Sequence, residues 1–309
     1  MKKKKVDIIV VNWNSGELTL PAVSPYLNYS GSEIFCNVML VDNASSDNSL
    51  LLFEDKIHNL IVNRENSGFG KACNQAFVGS DADYILLLNP DTISSPQVLE
   101  KLVEFLENNP SYAVAGPAQL DDHDQVLKTC GRFPTFKTAL FEVLGLSKIF
   151  PKIFTPAPIM TDWNHQESKD VDHVMGSYML IRKSILDTIG FMDKDYFVYM
   201  EDIDLSKRIK DARFKAFYMK EQSIYHQGGG TGEKLKDYRL FYSLASRSVY
   251  WKKHFNKLSY FILLTLSFGI EPFLRMLDSL LKEKKLNYKI IRKAYLMYIH
   301  KLIDKKKQD

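Results

Sequence analysis

The chain has 309 residues, 45% hydrophobic and 25% charged, which suits one large or two moderate folded units with a real core. Its three cysteines, Cys36, Cys73 and Cys130, show neither CxxC spacing nor nearby paired histidines, which argues against a disulfide framework or a structural zinc site. The net charge of +4 hides a segregation. From Trp251 onward 14 Lys+Arg face 5 Asp+Glu, behind a mildly acidic body, and this separation argues against a nucleic-acid binder.

The chain opens with a basic stretch, Met1 to Lys5, but only Ile8 to Val11 is apolar before Asn12. That is too short for a signal-peptide core, so a cytoplasmic location is expected. Strand and helix signals then alternate. Val6–Asn12 reads as a strand, Glu17–Leu27 as a helix interrupted or started by Pro21, and Asn37–Asp42 as a second strand. Ser49–Ile57 is a helix, Leu60–Asn63 a third strand, Gly70–Phe77 a helix and Tyr84–Leu88 a fourth strand. Pro96–Asn108 carries Val98, Leu102, Val103 and Leu106 on one face, and Val114–Gly116 returns to the sheet. Such alternation implies βαβ units and a parallel sheet.

Residues 121–170 read as a variable loop region with a helix near Lys137–Leu146. Order returns at Val171–Arg182, with helices at Ser184–Ile189 and Glu201–Ala212, a strand at Lys215–Met219 and a long helix over Lys236–Phe255. Tyr260–Ile270 is almost wholly apolar but falls short of the ~20 residues that span a bilayer. The basic amphipathic stretch after it suggests peripheral association with an anionic membrane surface, or else a helix packed on the body with solvated charges. Three regions are expected: 1–116, 117–255 and 256–309.

The candidate chemistry lies at strand ends. Tyr84–Leu88 is a buried run stopped by Pro90, which holds Asp91 at a strand's carboxyl edge, where open α/β sheets bind ligands. Asp91 can hold a divalent cation against a phosphate, although Asn-Pro-Asp-Thr is also plain turn chemistry. Asp42 ends the second strand and can accept a hydrogen bond from a base imide, while Ser46 and Asp47 read as helix caps. Gly68 and Gly70 open a helix and permit close approach to a diphosphate. The dinucleotide fingerprint is not met, because position 73 is Cys and the motif follows the third strand. Glu201 and Asp204 are explained by the helix macrodipole and an i,i+4 pair with Arg208. That leaves one carboxylate of the turn free to act as a base, beside the aromatic residues of Tyr196–Tyr199. His226 precedes the run Gln227–Gly232, which reads as a mobile flap.

Together, Val11-Asn12-Trp13-Asn14, Val41-Asp42-Asn43-Ala44-Ser45-Ser46-Asp47, Asn66-Ser67-Gly68-Phe69-Gly70, Leu88-Asn89-Pro90-Asp91 and Tyr199-Met200-Glu201-Asp202-Ile203-Asp204-Leu205 resemble the family 2 inverting glycosyltransferases of the GT-A fold. The nearest likeness is to bacterial rhamnosyltransferase-like members, over roughly residues 6–255. The resemblance implies a mostly parallel nucleotide-binding sheet flanked by helices, followed by a C-terminal helical extension. It further implies Asp202 as catalytic base and Asn12, Asp42, Asn66, Gly68, Gly70 and Asn89 around the nucleotide sugar. Glu201, Tyr199 and Gly176 would lie on the acceptor side, and Asp91 with His226 would hold Mg²⁺ or Mn²⁺. Asn89 stands where the family has the first aspartate of its Asp-x-Asp motif, and a neutral amide is a poorer metal ligand. The implied reaction moves a sugar, with dTDP-rhamnose as candidate donor, to a cell-surface glycan or polyprenyl-linked precursor at the inner face of the membrane. The competing readings are a nucleotidyltransferase-like enzyme and a non-catalytic, membrane-docked binding protein.

Overall fold

The computed structural model describes residues 3–228, 236–281 and 288–308. Strand β1 (Lys4–Asn12), helix α1 (Gly16–Val23), β2 (Ile34–Asp42), α2 (Ser49–Phe53), β3 (Asn59–Val62), α3 (Phe69–Phe77) and β4 (Tyr84–Leu88) form the alternating first part. They are followed by β5 (Thr92–Ile93), α4 (Pro96–Asn108), β6 (Tyr112–Leu120), β7 (Cys130–Gly131), α5 (Phe136–Val143) and α6 (Leu146–Ile149). Next come β8 (Lys169–Val171), β9 (His173–Val174), β10 (Tyr178–Arg182), α7 (Lys183–Ile189), α8 (Glu201–Asp211) and β11 (Lys215–His226). Helices α9 (Lys236–His254), α10 (Lys257–Gly269), α11 (Glu271–Leu281) and α12 (Tyr288–Gln308) close the chain.

One nine-stranded sheet runs β3-β2-β1-β4-β10-β6-β11-β5, with β8 paired to β11. Its two faces explain the continuous apolar runs. Val6, Ile8 and Val10 of β1 with Tyr84, Leu86 and Leu88 of β4 pack under α4, alongside Leu99 and Leu102. Ile9, Ile85 and Leu87 point the other way, against Ala72 and Ala76 of α3 and Leu205 of α8. A strand covered on both faces has no polar side to present, so alternation disappears from its sequence.

The sheet is parallel over most of its pairing, as the resemblance implies, with β6 and β11 also parallel, and it takes in antiparallel members. Strands β3, β2, β1 and β4 are parallel, but β10 lies antiparallel between β4 and β6. The physical cause is where the chain re-enters. Tyr178 of β10 pairs with Leu88, the last residue of β4, so β10 must run back along it. This return carries Gly176 and Ser177 to the edge where β4 ends. Residue 116 falls inside β6, so the expected boundary there marks no break in the sheet.

The C-terminal helices partly answer the two readings of that region. Leu263 of α10 is buried with Val143 of α5 and Trp251 of α9, and Tyr298 of α12 with Leu244 of α9. The opposite faces leave Leu258, Phe261, Phe273, Leu277 and Leu280 exposed. Among the described residues no single helix is long and apolar enough to cross a membrane. The pair α10–α11, bent by 42°, passes that test jointly on length and composition.

Candidate active site

The loops after β1 and β2 interlock through amides, hydroxyls and the Asp42 carboxylate. Asn12, fully buried at the end of β1, donates from Nδ2 to Asp42 Oδ1 at 2.7 Å and to Ser45 Oγ at 2.9 Å. Its Oδ1 accepts from the Thr19 hydroxyl at 2.7 Å, and Ser45 N–H donates to Asp42 Oδ2 at 3.0 Å. Asn14 N–H and Oδ1 bind Ser45 and Ser46 in turn. Asp42 is therefore not the open acceptor that its strand-end position suggests. It has no exposed surface, and both its oxygens brace the loop that follows.

Asn43 was passed over by the sequence reading and proves central. Its Nδ2 donates to Asn66 Oδ1 at 2.9 Å and Gly68 O at 3.3 Å, and its Oδ1 accepts from Ser67 N–H and Asn63 Nδ2, each at 3.0 Å. One buried amide thus fixes the whole Asn63–Gly68 loop. Its adjacency to Asp42 was the signal, masked because the carboxylate drew the chemical argument. The reason for the glycines also changes. Gly68 has φ +86°, and a Cβ there would stand 2.5 Å from Phe197 O. Phe69 N–H donates to that same carbonyl at 2.7 Å, and Gly68 N–H is taken by Asn66. The glycine is demanded by close packing against the 192–197 segment, not by a free approach for a diphosphate.

Asp91 and His226 do meet. β5 pairs with the end of β11, Thr92 opposite His226, which brings His226 Nε2 within 3.2 Å of Asp91 Oδ1. Both side chains retain limited exposure, 16% for Asp91 and 11% for His226. Among the described residues no cluster of three His, Cys, Asp or Glu forms a closed metal site. A carboxylate and an imidazole fit a cation that draws its remaining ligands from water and substrate phosphate, as Mg²⁺ characteristically does. Gly229–Gly232, the body of the expected flap, lie outside the described residues.

The acidic turn is entered by two successive residues in the left-handed region, Tyr199 (φ 71°) and Met200 (φ 70°), at a cost of about 1–2 kcal/mol each. Asp202 then accepts Gly176 N–H on Oδ2 at 3.0 Å and Ile203 N–H on Oδ1 at 2.8 Å, and remains 18% exposed. Gly176 is glycine because Asp202 packs where its Cβ would be, 3.2 Å from Oδ2. The next residue closes the circuit: Ser177 O accepts Asn89 N–H at 2.9 Å. Consecutive residues therefore bind Asp202 on one side and the Asn89-Pro90-Asp91 turn on the other.

Two further groups shape this turn. His173 lies buried with Nε2 3.5 Å from Asp202 Oδ2 and Nδ1 3.1 Å from Ser206 Oγ. Burial pushes its pKa down, against the pull of Asp202 and Asp172. A Ser206 hydroxyl donating to Nδ1 leaves the imidazole proton on Nε2, facing Asp202. Glu201 is not the simple macrodipole residue expected. It is buried, Oε2 has no hydrogen-bond partner among the described residues, and burial followed by the Asp202 charge raises its pKa. Asp204 behaves oppositely. Burial would raise it, but His254 at 2.7 Å, Lys253 at 2.8 Å and Arg208 at 2.8 Å hold it well below the usual carboxylate range. Of the aromatic residues, Tyr196 is core and Phe197 stacks on Tyr242 at 4.5 Å, so Tyr199 alone of the three is exposed.

The architecture is that of the GT-A glycosyltransferases. A Pyrobaculum calidifontis mannosyltransferase, solved with GDP-Man and Mn²⁺, covers 97% of this chain and 88% of its own at TM-score 0.57 and 12% identity. GalNAc-T7, solved with UDP, GalNAc and Mn²⁺, gives TM-score 0.53 at 11% identity, over 77% of this chain and 47% of its own. Residues 7–190 match glycosyl transferase family 2, and the chain belongs to that family. Among curated relatives, the N-acetylglucosaminyl-diphospho-decaprenol L-rhamnosyltransferase of Mycobacterium tuberculosis is 25% identical over 211 residues, 63% of this chain and 68% of its own length. Rhamnosyltransferase WbbL of Escherichia coli K12 is 29% identical over 172 residues, 54% of this chain and 59% of its own. The protein is therefore a transferase of the glycosyl class, which removes the nucleotidyltransferase and binding-protein readings.

Proposed function

We propose that this chain is an inverting transferase that moves a sugar, rhamnose from dTDP-rhamnose, to a hydroxyl of a polyprenyl-linked or cell-surface glycan precursor. The observation that carries the mechanism is the Gly176-Ser177 segment, which hydrogen-bonds Asp202 and the Asn89–Asp91 turn in succession. Asp202 removes the acceptor's proton while that oxygen forms its bond to the anomeric carbon and the bond to the nucleoside diphosphate breaks on the opposite face. Asp91 and His226 would hold Mg²⁺ or Mn²⁺, which when bound neutralises charge on the departing diphosphate. Asn12, Asp42, Asn43 and Gly68 shape the nucleotide side by fixing its loops, while Asn66, Gly70 and Asn89 contribute backbone or amide groups. Tyr199, Glu201 and Gly176 border the acceptor. The regions 1–116, 117–255 and 256–309 are, in this reading, donor side, acceptor side and membrane-facing extension. The exposed apolar faces of α10 and α11 with the basic tail support docking on an anionic inner membrane surface.

The donor is tested by measuring protection of the chain against thermal unfolding with a panel of nucleotide sugars. dTDP-rhamnose is expected to raise the midpoint most, and equal protection by every nucleotide sugar overturns the donor assignment. NMR of the product then reads the anomeric configuration, with retention sinking the inverting mechanism. Full turnover after exhaustive chelation removes the divalent ion.

A further inference from the structure

A cavity of about 1250 Å³ lies between α5–α6 and the pair α9 and α11, with Tyr199 in its wall, three residues before Asp202. Helices α9 and α11 lie beyond the stretch matched by the family, so the family sheet alone does not build it. It exceeds the ~300–1,000 Å³ of usual small-ligand pockets.

Its charges do not cancel. Glu271 is met by Arg247 at 2.5 Å and by Arg275 at 2.6 Å, Glu142 by Arg247 at 3.2 Å, and Asp278 by Lys148 at 2.6 Å. Lys236 and Arg239 also line the cavity, and among the described residues neither has a carboxylate partner. They stand three apart on α9, hence on one face of the helix. Apart from three serines the remaining wall is mainly apolar, and it runs outward through Leu274 to Leu277 and Ile149, which are 53% and 65% exposed. Phe273, Leu280, Phe150 and Ile153 extend that exposed apolar surface.

We infer that this cavity binds the diphosphate of a long-chain membrane lipid, the acceptor's carrier. Lys236 and Arg239 take the two phosphates, the chain leaves across Leu277 and Ile149 into the bilayer, and the sugar head reaches Tyr199. Two surplus cations match a diphosphate, and the apolar exit favours a lipid over a free nucleotide. The assignment of this lipid as acceptor rests on the transferase reading above.

The test measures binding of the full chain to phosphatidylcholine vesicles containing a few mole per cent of undecaprenyl diphosphate, against charge-matched phosphatidylglycerol vesicles. The diphosphate vesicles are expected to bind more tightly, with about tenfold lost for each cation removed in Lys236→Ala and Arg239→Ala. Ser243→Trp, at an exposed lining position, should abolish the preference without altering charge. Equal binding to both vesicles, as expected of an anionic surface alone, overturns the proposal, as does an undiminished preference in these variants. Thermal protection by nucleotide sugars is recorded on the same proteins. A chain that keeps that protection but shows no lipid preference loses only this site, and the reverse result sinks the donor reading instead.

Discussion

The loops after β1–β3 and the turn that opens α8 meet through Gly68 and Phe197, yet they are built on opposite principles. The first is a mesh of amides and hydroxyls around the one buried carboxylate of Asp42, in which Asn43 binds Asn63, Asn66, Ser67 and Gly68. The second concentrates charge and strain, with two left-handed residues, a buried Glu201 lacking a partner at Oε2, and Asp202 and Asp204 in different surroundings. Saturated polar networks fix a shape, whereas stored strain and unpaired groups are tolerated where chemistry is done. The loops after β1–β3 are thereby braced, and the turn that opens α8 holds its carboxylate against local cost.

The sharpest way to break this contrast is Asp202→Asn. Transfer should fall about 10²–10⁴-fold while donor protection against heat persists, and near-normal turnover would refute the base. Next is Asn43→Ala, which strands buried partners and should cost about 3 kcal/mol in urea unfolding. If stability is unchanged, the mesh does not hold the loop. Glu201→Gln acts in the opposite direction. A carboxyl whose native pKa is raised binds its proton longer folded than unfolded, so its contribution is full below the unfolded value and is lost as pH rises through the folded one. The variant should be more stable than the parent by at least about 1 kcal/mol at pH 8, with the gap closing below pH ~4. Thermal midpoints across pH 4–8 test this, and parallel curves would contradict it. The smallest effect is expected of Ser206→Ala, a fall of about three- to tenfold in kcat. It should also move the acid limb of the pH–rate profile, which loss of packing alone would not do.

Much of this was legible in the sequence, and what was not has a common cause. β4 and α4 fall on the expected residues because a strand buried on both faces and a 3.6-residue stripe are local patterns. The meeting of Asp91 with His226 came from the family resemblance, and the strand pairing that achieves it spans far-apart segments. Antiparallel insertion of β10 was invisible, since no local pattern states where a strand re-enters a sheet. Burial of Asp42 and Glu201 was missed for the same reason: polarity is written in the residue, but enclosure is supplied by distant neighbours. His173 could have been found only by knowing that β9 lies beneath α8.

The close seat of Gly68 on Phe197 has a practical corollary for engineering. The two segments pack as one lock, so the 191–200 stretch cannot be transplanted alone. A graft would need to import its own 66–70 counterpart, because any side chain at 68 collides with the incoming backbone. Libraries across this seat are better drawn as paired cassettes than as single loops.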